Sequence, residues 1–284
     1  MGSLKGLLRE IQQILIEERE PPEKLVLNPD SVRVFGKLVI IPPFGKLYVI
    51  GDIHGEQDSL REILNFVFEK FREEGDYIVF LGDYADRGTE GLEVFEELFE
   101  LKKRLRERLI LLRGNHEDRG MNRFYGFLSE LYWKLGPESS EVYAELEKIY
   151  DLLPICAYVP EKLIMVHGGA TVPPITLEEI ARGREELQLL WNDPLDEDYM
   201  PRGGGTRAFS EEELGWFLDS VRARVMIRGH QFLGAKGHKL FGDKLISLFS
   251  ARYGHRGAKI ALLEVDLEES FERASQIIKG LHLL

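Results

Sequence analysis

Five short apolar runs in this 284-residue chain stop at a glycine that has aspartate, asparagine or histidine beside it. Residues 46–50 lead into Gly51-Asp52-Ile53-His54-Gly55, and 77–81 into Gly82-Asp83-Tyr84-Ala85-Asp86-Arg87-Gly88. Residues 109–112 lead into Arg113-Gly114-Asn115-His116-Glu117, 162–166 into His167-Gly168-Gly169, and 224–227 into Arg228-Gly229-His230-Gln231. Taken singly, each ending reads as a turn, since Asp-Gly and Asn-Gly pairs favour turns. Five together do not. Four of the seven histidines sit at these endings, whereas His238, His255 and His282 lack the setting and read as structural or surface residues. Carboxylate, amide oxygen and neutral imidazole in combination suit Mn²⁺, Fe²⁺ or Zn²⁺. Two such ions about 3.5–4 Å apart make a hydrolytic centre, in which a bridging water becomes the nucleophile and one carboxylate spans the pair.

Such ligands must be brought together by the elements that precede them. Runs bounded by glycine or polar residues at 37–42, 46–50, 77–81, 109–112, 162–167, 224–230, 244–249 and 259–265 read as buried strands. Amphipathic segments at 57–73 and 91–107 lie between them, and 210–221 opens with a serine N-cap and a glutamate three residues on, a capping-box pattern. Residues 4–18 carry a helical stripe of Leu4, Leu7, Leu8, Ile11, Ile14 and Leu15, and the prolines of PPEK end that helix. Strands alternating with helices indicate α/β layers, with sites expected beyond the carboxyl ends of the strands. With no repeat or flexible linker, residues 1–284 read as one domain, with an N-terminal helix within 1–24 and a peripheral helix and tail at 266–284.

Apolar residues make up 44% of the chain, enough for a sizeable core, and charged residues 30%, enough to solvate its surface. The 37 Lys and Arg stand against 49 Asp and Glu, a net charge of −12. A protein that binds nucleic acid by neutralising phosphates is basic, so nucleic acid is excluded as a partner and any anionic substrate must be drawn by local positive charge. The one cysteine, Cys156, rules out an intrachain disulfide and a cysteine-based zinc site, and its apolar setting reads as a buried, inert thiol. No early run is long and apolar enough for a signal peptide or a membrane span. The expectation is a cytoplasmic protein with no membrane partner.

In this order, GDIHG, GDYADRG, RGNHE, HGG and GHQ resemble the motifs of the metal-dependent serine/threonine phosphoprotein phosphatases, the family of protein phosphatases 1 and 2A and calcineurin, within the calcineurin-like metallophosphoesterases. The first three motifs occur in other metallophosphoesterases and alone indicate phosphoester cleavage. MNRFYGF, LPICAYVPEKLIMVHGG and LLWNDP are more specific to the phosphoprotein phosphatases, and the likeness spans residues 46–252. The resemblance implies an α/β sandwich of two mixed β-sheets flanked by helices, four layers in all; the strand pattern agrees with α/β but does not itself specify two sheets. It assigns Asp52 and His54 to a first metal, Asp83 to both, and Asn115, His167 and His230 to the second. It makes His116 the general acid, oriented by Asp86, and places Arg87 and an arginine after WNDP on the phosphate oxygens, with Arg113 a further contributor. It implies two divalent ions, Mn²⁺ first in vitro with iron or zinc as alternatives, and a phosphorylated protein or peptide hydrolysed by direct attack of a metal-bridging hydroxide. Two divalent ions outweigh the charges of Asp52 and Asp83, so an acidic chain acquires a cationic pocket, and arginine's planar fork suits phosphate there.

The second arginine has two candidates. PRGGGTRAFS carries one residue more than the family's segment; Arg202 keeps the Arg-Gly pair and is the first choice, and Arg207 is the alternative. FSARYGHRG stands where the family has Ser-Ala-Pro-Asn-Tyr. Ser250 and Ala251 persist and Tyr253 is the candidate substrate contact, but the Pro-Asn is lost, so contacts of that loop do not carry over. The short interval before WNDP and the lack of an evident regulatory tail suggest a compact prokaryotic or archaeal member. Two other readings compete: a small-molecule phosphohydrolase, such as one acting on diadenosine polyphosphates or also on phosphotyrosine, and a non-catalytic scaffold that binds phosphorylated partners. GDYADRG and MNRFYGF argue against the former, and the intact ligand set against the latter.

Overall fold

The computed structural model describes residues 4–197, 199–252 and 257–284; Tyr253 and His255, both singled out from the sequence, lie outside the described residues. The chain runs α1 (Leu4–Glu17), β1 (Arg19–Glu20), β2 (Arg33–Phe35), β3 (Leu38–Ile40), β4 (Lys46–Ile50), α2 (Gln57–Phe68), β5 (Tyr77–Phe80), α3 (Gly91–Leu105) and β6 (Leu109–Leu111). Helices α4 (Arg119–Tyr125), α5 (Phe127–Leu135) and α6 (Ser139–Leu152) follow, then β7 (Cys156–Val159), β8 (Leu163–Val166), α7 (Leu177–Ala181) and α8 (Glu186–Trp191). The last part holds β9 (Asp193–Pro194), β10 (Ala208–Phe209), α9 (Glu211–Val221), β11 (Val225–Arg228), β12 (His238–Phe241), β13 (Leu245–Leu248), β14 (Ala261–Asp266), α10 (Ala274–Ile277) and β15 (Leu281–Leu283).

Two mixed sheets result, in the orders β1-β2-β3-β7-β8-β11-β13-β12 and β15-β14-β4-β5-β6. Side chains alternate across each strand. From the five-stranded sheet, Leu47, Val49 and Val79 point at Met165, Ile227 and Ile246 of the eight-stranded sheet, so the sheets pack face to face. Tyr48, Ile50, Ile78 and Phe80 point the other way, against residues of α1, α2, α3, α5 and α6. On the far side of the eight-stranded sheet, Ile164, Val166 and Met226 meet Leu177, Leu189 and Phe217 of α7, α8 and α9. The four layers implied by the resemblance are present. Both faces of the central strands are covered, which is why they read as unbroken apolar runs. At the site end the sheets are stitched together: Asp52 bridges Phe249, and Ser250 accepts from the Gly51 amide while donating to the Ala261 carbonyl.

Helix α1 buries Leu7, Leu8, Ile11, Ile14 and Leu15, five of the six residues of the stripe read from the sequence, with Leu4 half-buried against the same core. Ser210 caps α9 in a capping box with Glu213. The tail differs from expectation. The α-helix is confined to Ala274–Ile277 and continues as a 3-10 turn over Ile278–Gly280, and Leu281–Leu283 pairs antiparallel with β14 as the edge strand of the five-stranded sheet. A three-residue edge strand is too short to show a period. Among the described residues no helix is long and apolar enough to cross a membrane.

Candidate active site

Parallel pairing of β4 with β5 and β5 with β6, and of β8 with β11, sends the five sequence endings out of the same end of the two sheets. There the tips bond to one another. The amides of Ile53 and His54 donate to the Asp83 carbonyl at 3.1 and 2.9 Å, and the Gly229 amide to the His167 carbonyl at 3.1 Å. Asp83 Oδ1 accepts from the His116 amide, and Asp52 Oδ1 from the His230 amide, both at 2.9 Å. Five of the ten described non-glycine residues with positive φ are His54, Asp83, Asp86, Arg87 and His230. Left-handed backbone costs roughly 1–2 kcal/mol per such residue, so stability is given up here for placement. Gly114 and Gly229 are required by close approach: a Cβ at either would lie 2.2 Å from Asp83 Oδ1 and 2.4 Å from Asp52 Oδ1, respectively.

The acceptor atoms converge in two groups. His167 Nδ1 bonds the Leu81 carbonyl, so its Nε2 is the free lone pair, and this lies 2.8 Å from Asn115 Oδ1, 3.2 Å from His230 Nδ1 and 3.3 Å from Asp83 Oδ1. His54 Nδ1 bonds the Ala85 carbonyl, and its Nε2 lies 3.6 Å from both Asp52 Oδ2 and Asp83 Oδ2. Asp83 thus divides its two oxygens between the groups. Asp52 Oδ2 is buried with no hydrogen-bond partner, and a buried acceptor left unmatched is costly. A divalent cation in each group would satisfy these atoms, and the mix of carboxylate, amide oxygen and imidazole fits such ions. The protonation pattern agrees. Burial lowers His54 to about 3, and burial with the neighbouring His167 holds His230 well below the usual range, so both present lone pairs. Burial opposes charge on Asp83, but the imidazoles of His167, His116 and His54 keep its carboxyl ionised. Burial also opposes a cationic His167, yet Asp83, Asp52 and Glu117 raise it to about 9. A cation bound here would take the His167 Nε2 lone pair in place of a proton.

His116 is buried beside these groups. Its Nδ1 bonds Asp86 Oδ2 at 2.8 Å, leaving Nε2 directed at Asp83 Oδ2, 3.9 Å away, and at the Arg87 guanidinium, 3.5 Å away. His116 also lies close enough to His54 and Asp83 to complete a cation site by distance alone. A guanidinium bonded to its Nε2 argues against a metal ion there. Arg87 is exposed and lies over the Tyr125 ring at 5.0 Å. A cleft of 440 Å³ opens beside Asn115, lined in part by Arg113, Glu117, Trp191, Arg202 and Thr206. Arg202 Nε bonds Asp193 Oδ2 at 2.6 Å, and β9 paired with β10 closes the loop that carries it. Arg207 is not among the cleft residues; its amide donates to Asn192 Oδ1 at 2.7 Å. Arg113 reaches the cleft, with its guanidinium bonded to the Glu117 carbonyl and to Glu186 Oε1.

Residues that sequence reasoning left without a role hold the site together. Glu117 is fully buried, and its carboxylate accepts from the amides of Asp83 (2.8 Å), Tyr84 (3.0 Å) and Gly114 (2.7 Å), pinning the tips after β5 and β6. Asp193 anchors Arg202, and its Oδ1 accepts from Arg228 Nη2 at 2.7 Å, while Arg228 reaches the Gly168 carbonyl. Asn122 joins Asp86 to the His116 carbonyl. Glu117 and Asp193 stand inside the quoted motifs RGNHE and LLWNDP, which was the available signal; their partners were not legible.

The fold and this cluster define a metal-dependent phosphoesterase, and the chain belongs to the calcineurin-like phosphoesterase family, whose profile matches residues 45–232. It is 33% identical over 255 residues to the serine/threonine-protein phosphatase 6 catalytic subunit of Drosophila melanogaster, covering 84% of this chain and 80% of that protein. It is 34% identical over 232 residues to the serine/threonine-protein phosphatase 4 catalytic subunit of Kluyveromyces lactis, covering 77% of this chain and 73% of that protein. A solved serine/threonine phosphatase from Saccharomyces cerevisiae with similarity to human phosphatase PP5 shares the fold, with a TM-score of 0.76 at 23% identity over 99% of this chain and 88% of that one.

Proposed function

We propose that this protein hydrolyses phosphoserine and phosphothreonine esters in polypeptides with two divalent cations bound. One observation carries the reading: Asp83 stands between two buried acceptor groups, 3.3 Å from His167 and 3.6 Å from His54, with the Asp86–His116 pair against it. Asp52, His54 and Asp83 would hold one cation; Asp83, Asn115, His167 and His230 would hold the other. When bound, the cations supply Lewis acidity toward the phosphoryl oxygens and a water acidic enough to attack phosphorus at neutral pH. Arg87 and Arg202 bind the remaining phosphate oxygens and stabilise charge as it develops. A seryl alkoxide is a poor leaving group, so His116 donates an Nε2 proton to the departing oxygen and keeps its Nδ1–H bonded to Asp86, which orients the ring. Arg113 lies next in line for the phosphate but is engaged by Glu117 and Glu186, which favours a role in shaping the cleft wall. The polypeptide substrate is supported by the two phosphatase relatives, whose likeness covers 84% and 77% of this chain.

The test is turnover of phosphoserine, phosphothreonine and phosphotyrosine peptides and of diadenosine tetraphosphate, after chelation and readdition of Mn²⁺, Fe²⁺ or Zn²⁺. Preference for the first two peptides is expected; preference for diadenosine tetraphosphate would move the protein to the small-molecule class. His116→Ala should cost about 10²–10⁴-fold on phosphoserine peptide and much less on p-nitrophenyl phosphate, whose leaving group needs little protonation. Equal losses would remove His116 from the acid role.

A further inference from the structure

Asn122, in α4, is fully buried and lies outside the cation- and phosphate-facing groups. Its amide has four partners. Nδ2 donates to Asp86 Oδ2 and to the His116 carbonyl, each at 2.8 Å. Oδ1 accepts from the hydroxyls of Tyr143 at 2.9 Å and Tyr150 at 3.2 Å, both on α6. The side chain therefore touches His116 at both ends, directly at its backbone carbonyl and through the carboxylate oxygen that takes its Nδ1–H.

The orientation of the amide follows from the chemistry of its neighbours. A carboxylate and a carbonyl can only accept, so they demand the NH₂ end. Phenols can donate, so they suit the oxygen end. A flipped amide would set Oδ1 against two acceptors. Burial holds both phenols protonated, well above the usual tyrosine range, so the two donors persist over the working pH range. Tyr143 and Tyr150 are themselves buried in the helical layer with Phe95, Leu146 and Ile149. A buried polar network satisfied in full specifies one arrangement.

We propose that Asn122, locked by the hydroxyls of Tyr143 and Tyr150, is the positioning residue for the general acid, so that α6 sets the direction in which His116 delivers its proton. This rests on the reading of His116 as that acid. Asp86 alone leaves the imidazole one tether, because its other oxygen is taken by the Phe127 amide at 3.1 Å. Removing the two hydroxyls strands a buried Oδ1 and frees the amide to turn. The carboxylate and the His116 backbone then lose a shared restraint, and the proton is aimed less well.

The experiment compares the Mn²⁺-loaded parent with Tyr143→Phe/Tyr150→Phe on phosphoserine peptide and on p-nitrophenyl phosphate, and repeats the pair in a His116→Ala background. Misdirection of a reacting group by a fraction of an ångström is expected to cost about tenfold in kcat on the peptide, with KM held within about twofold and a clearly smaller loss on the aryl ester. In the His116→Ala background the tyrosine changes should add no further loss on the peptide, because groups acting as one unit are not additive. Equal losses on both substrates, no loss on the peptide, or losses that multiply with His116→Ala would each overturn the proposal. If His116→Ala alone slows both substrates equally, it is the acid assignment that fails. Should the double variant not fold, Tyr150→Phe leaves one donor in place; a loss of about threefold confined to the peptide supports the proposal, and a loss shared by both substrates overturns it.

Discussion

His116 and Arg202 are brought to the same candidate site by segments of contrasting construction. His116 is 1% exposed and reaches its place through a closed network of Asp86, Asn122 and two tyrosines. The Arg202 side chain is 31% exposed, is held by Asp193, and sits before three consecutive glycines with φ of 74°, 66° and 91°. On the proposed reading of the two residues, the difference reflects tolerance. Proton delivery depends on distance and angle at the sub-ångström level, and only a packed interior over-determines a side chain to that degree. A guanidinium that grips an arriving phosphate must face solvent before it binds and can adjust afterwards. Its anchor is nonetheless deep: Asp193 is tied to Arg228, which is fully buried.

The sharpest way to break this contrast is at its fixed pole. Asp83→Asn should reduce phosphopeptide turnover by more than about 10³-fold, since one carboxylate serves both cation groups and metal assistance is worth several kcal/mol; metal content after gel filtration should fall with it. Next in size is Gly114→Ala, whose Cβ would lie 2.2 Å from Asp83 Oδ1. About a 10²-fold loss of kcat is expected as Asp83 shifts, read by steady-state kinetics beside a melting curve. Smaller again is Arg202→Ala, which should lower kcat/KM by about 10–100-fold, while Arg207→Ala stays within about twofold of the parent. The reverse ranking would hand the phosphate to Arg207. The smallest change is expected for Gly204→Ala, where a Cβ meets nothing but φ is positive. About 1 kcal/mol of local strain and no more than about a threefold change in turnover should follow. A loss as large as that of Gly114→Ala would show the arginine loop to be as exacting as the acid network.

The strand endings were legible because each is marked twice, by a buried apolar run and by a ligand-type residue at a glycine. Asp52, His54, Asp83, Asn115, His167 and His230 all come from such endings. Short elements were less legible. Strand β7 lies in a stretch read as the setting of Cys156 and as part of a family motif but not as a strand, and neither α5 nor α6 has a side-chain N-cap bond, Gly126 preceding the one and Glu138 the other. Glu117 and Asn122 escaped for another reason. Both act through buried hydrogen bonds to backbone or to side chains up to 36 residues away, and no local pattern records which amide a carboxylate will meet.

By itself the sequence determined the kinds of donor present, their order along the chain, and the buried strands that carry them, because ligand chemistry and side-chain period are local properties. Tertiary structure decided the rest. It set Asp52 against the backbone of His230, 178 residues on. It divided Asp83 between two groups, and it put Arg202 rather than Arg207 on the cleft. Those relations depend on how two sheets pack across a shared core, a matter of whole-domain shape complementarity that no short window of residues encodes.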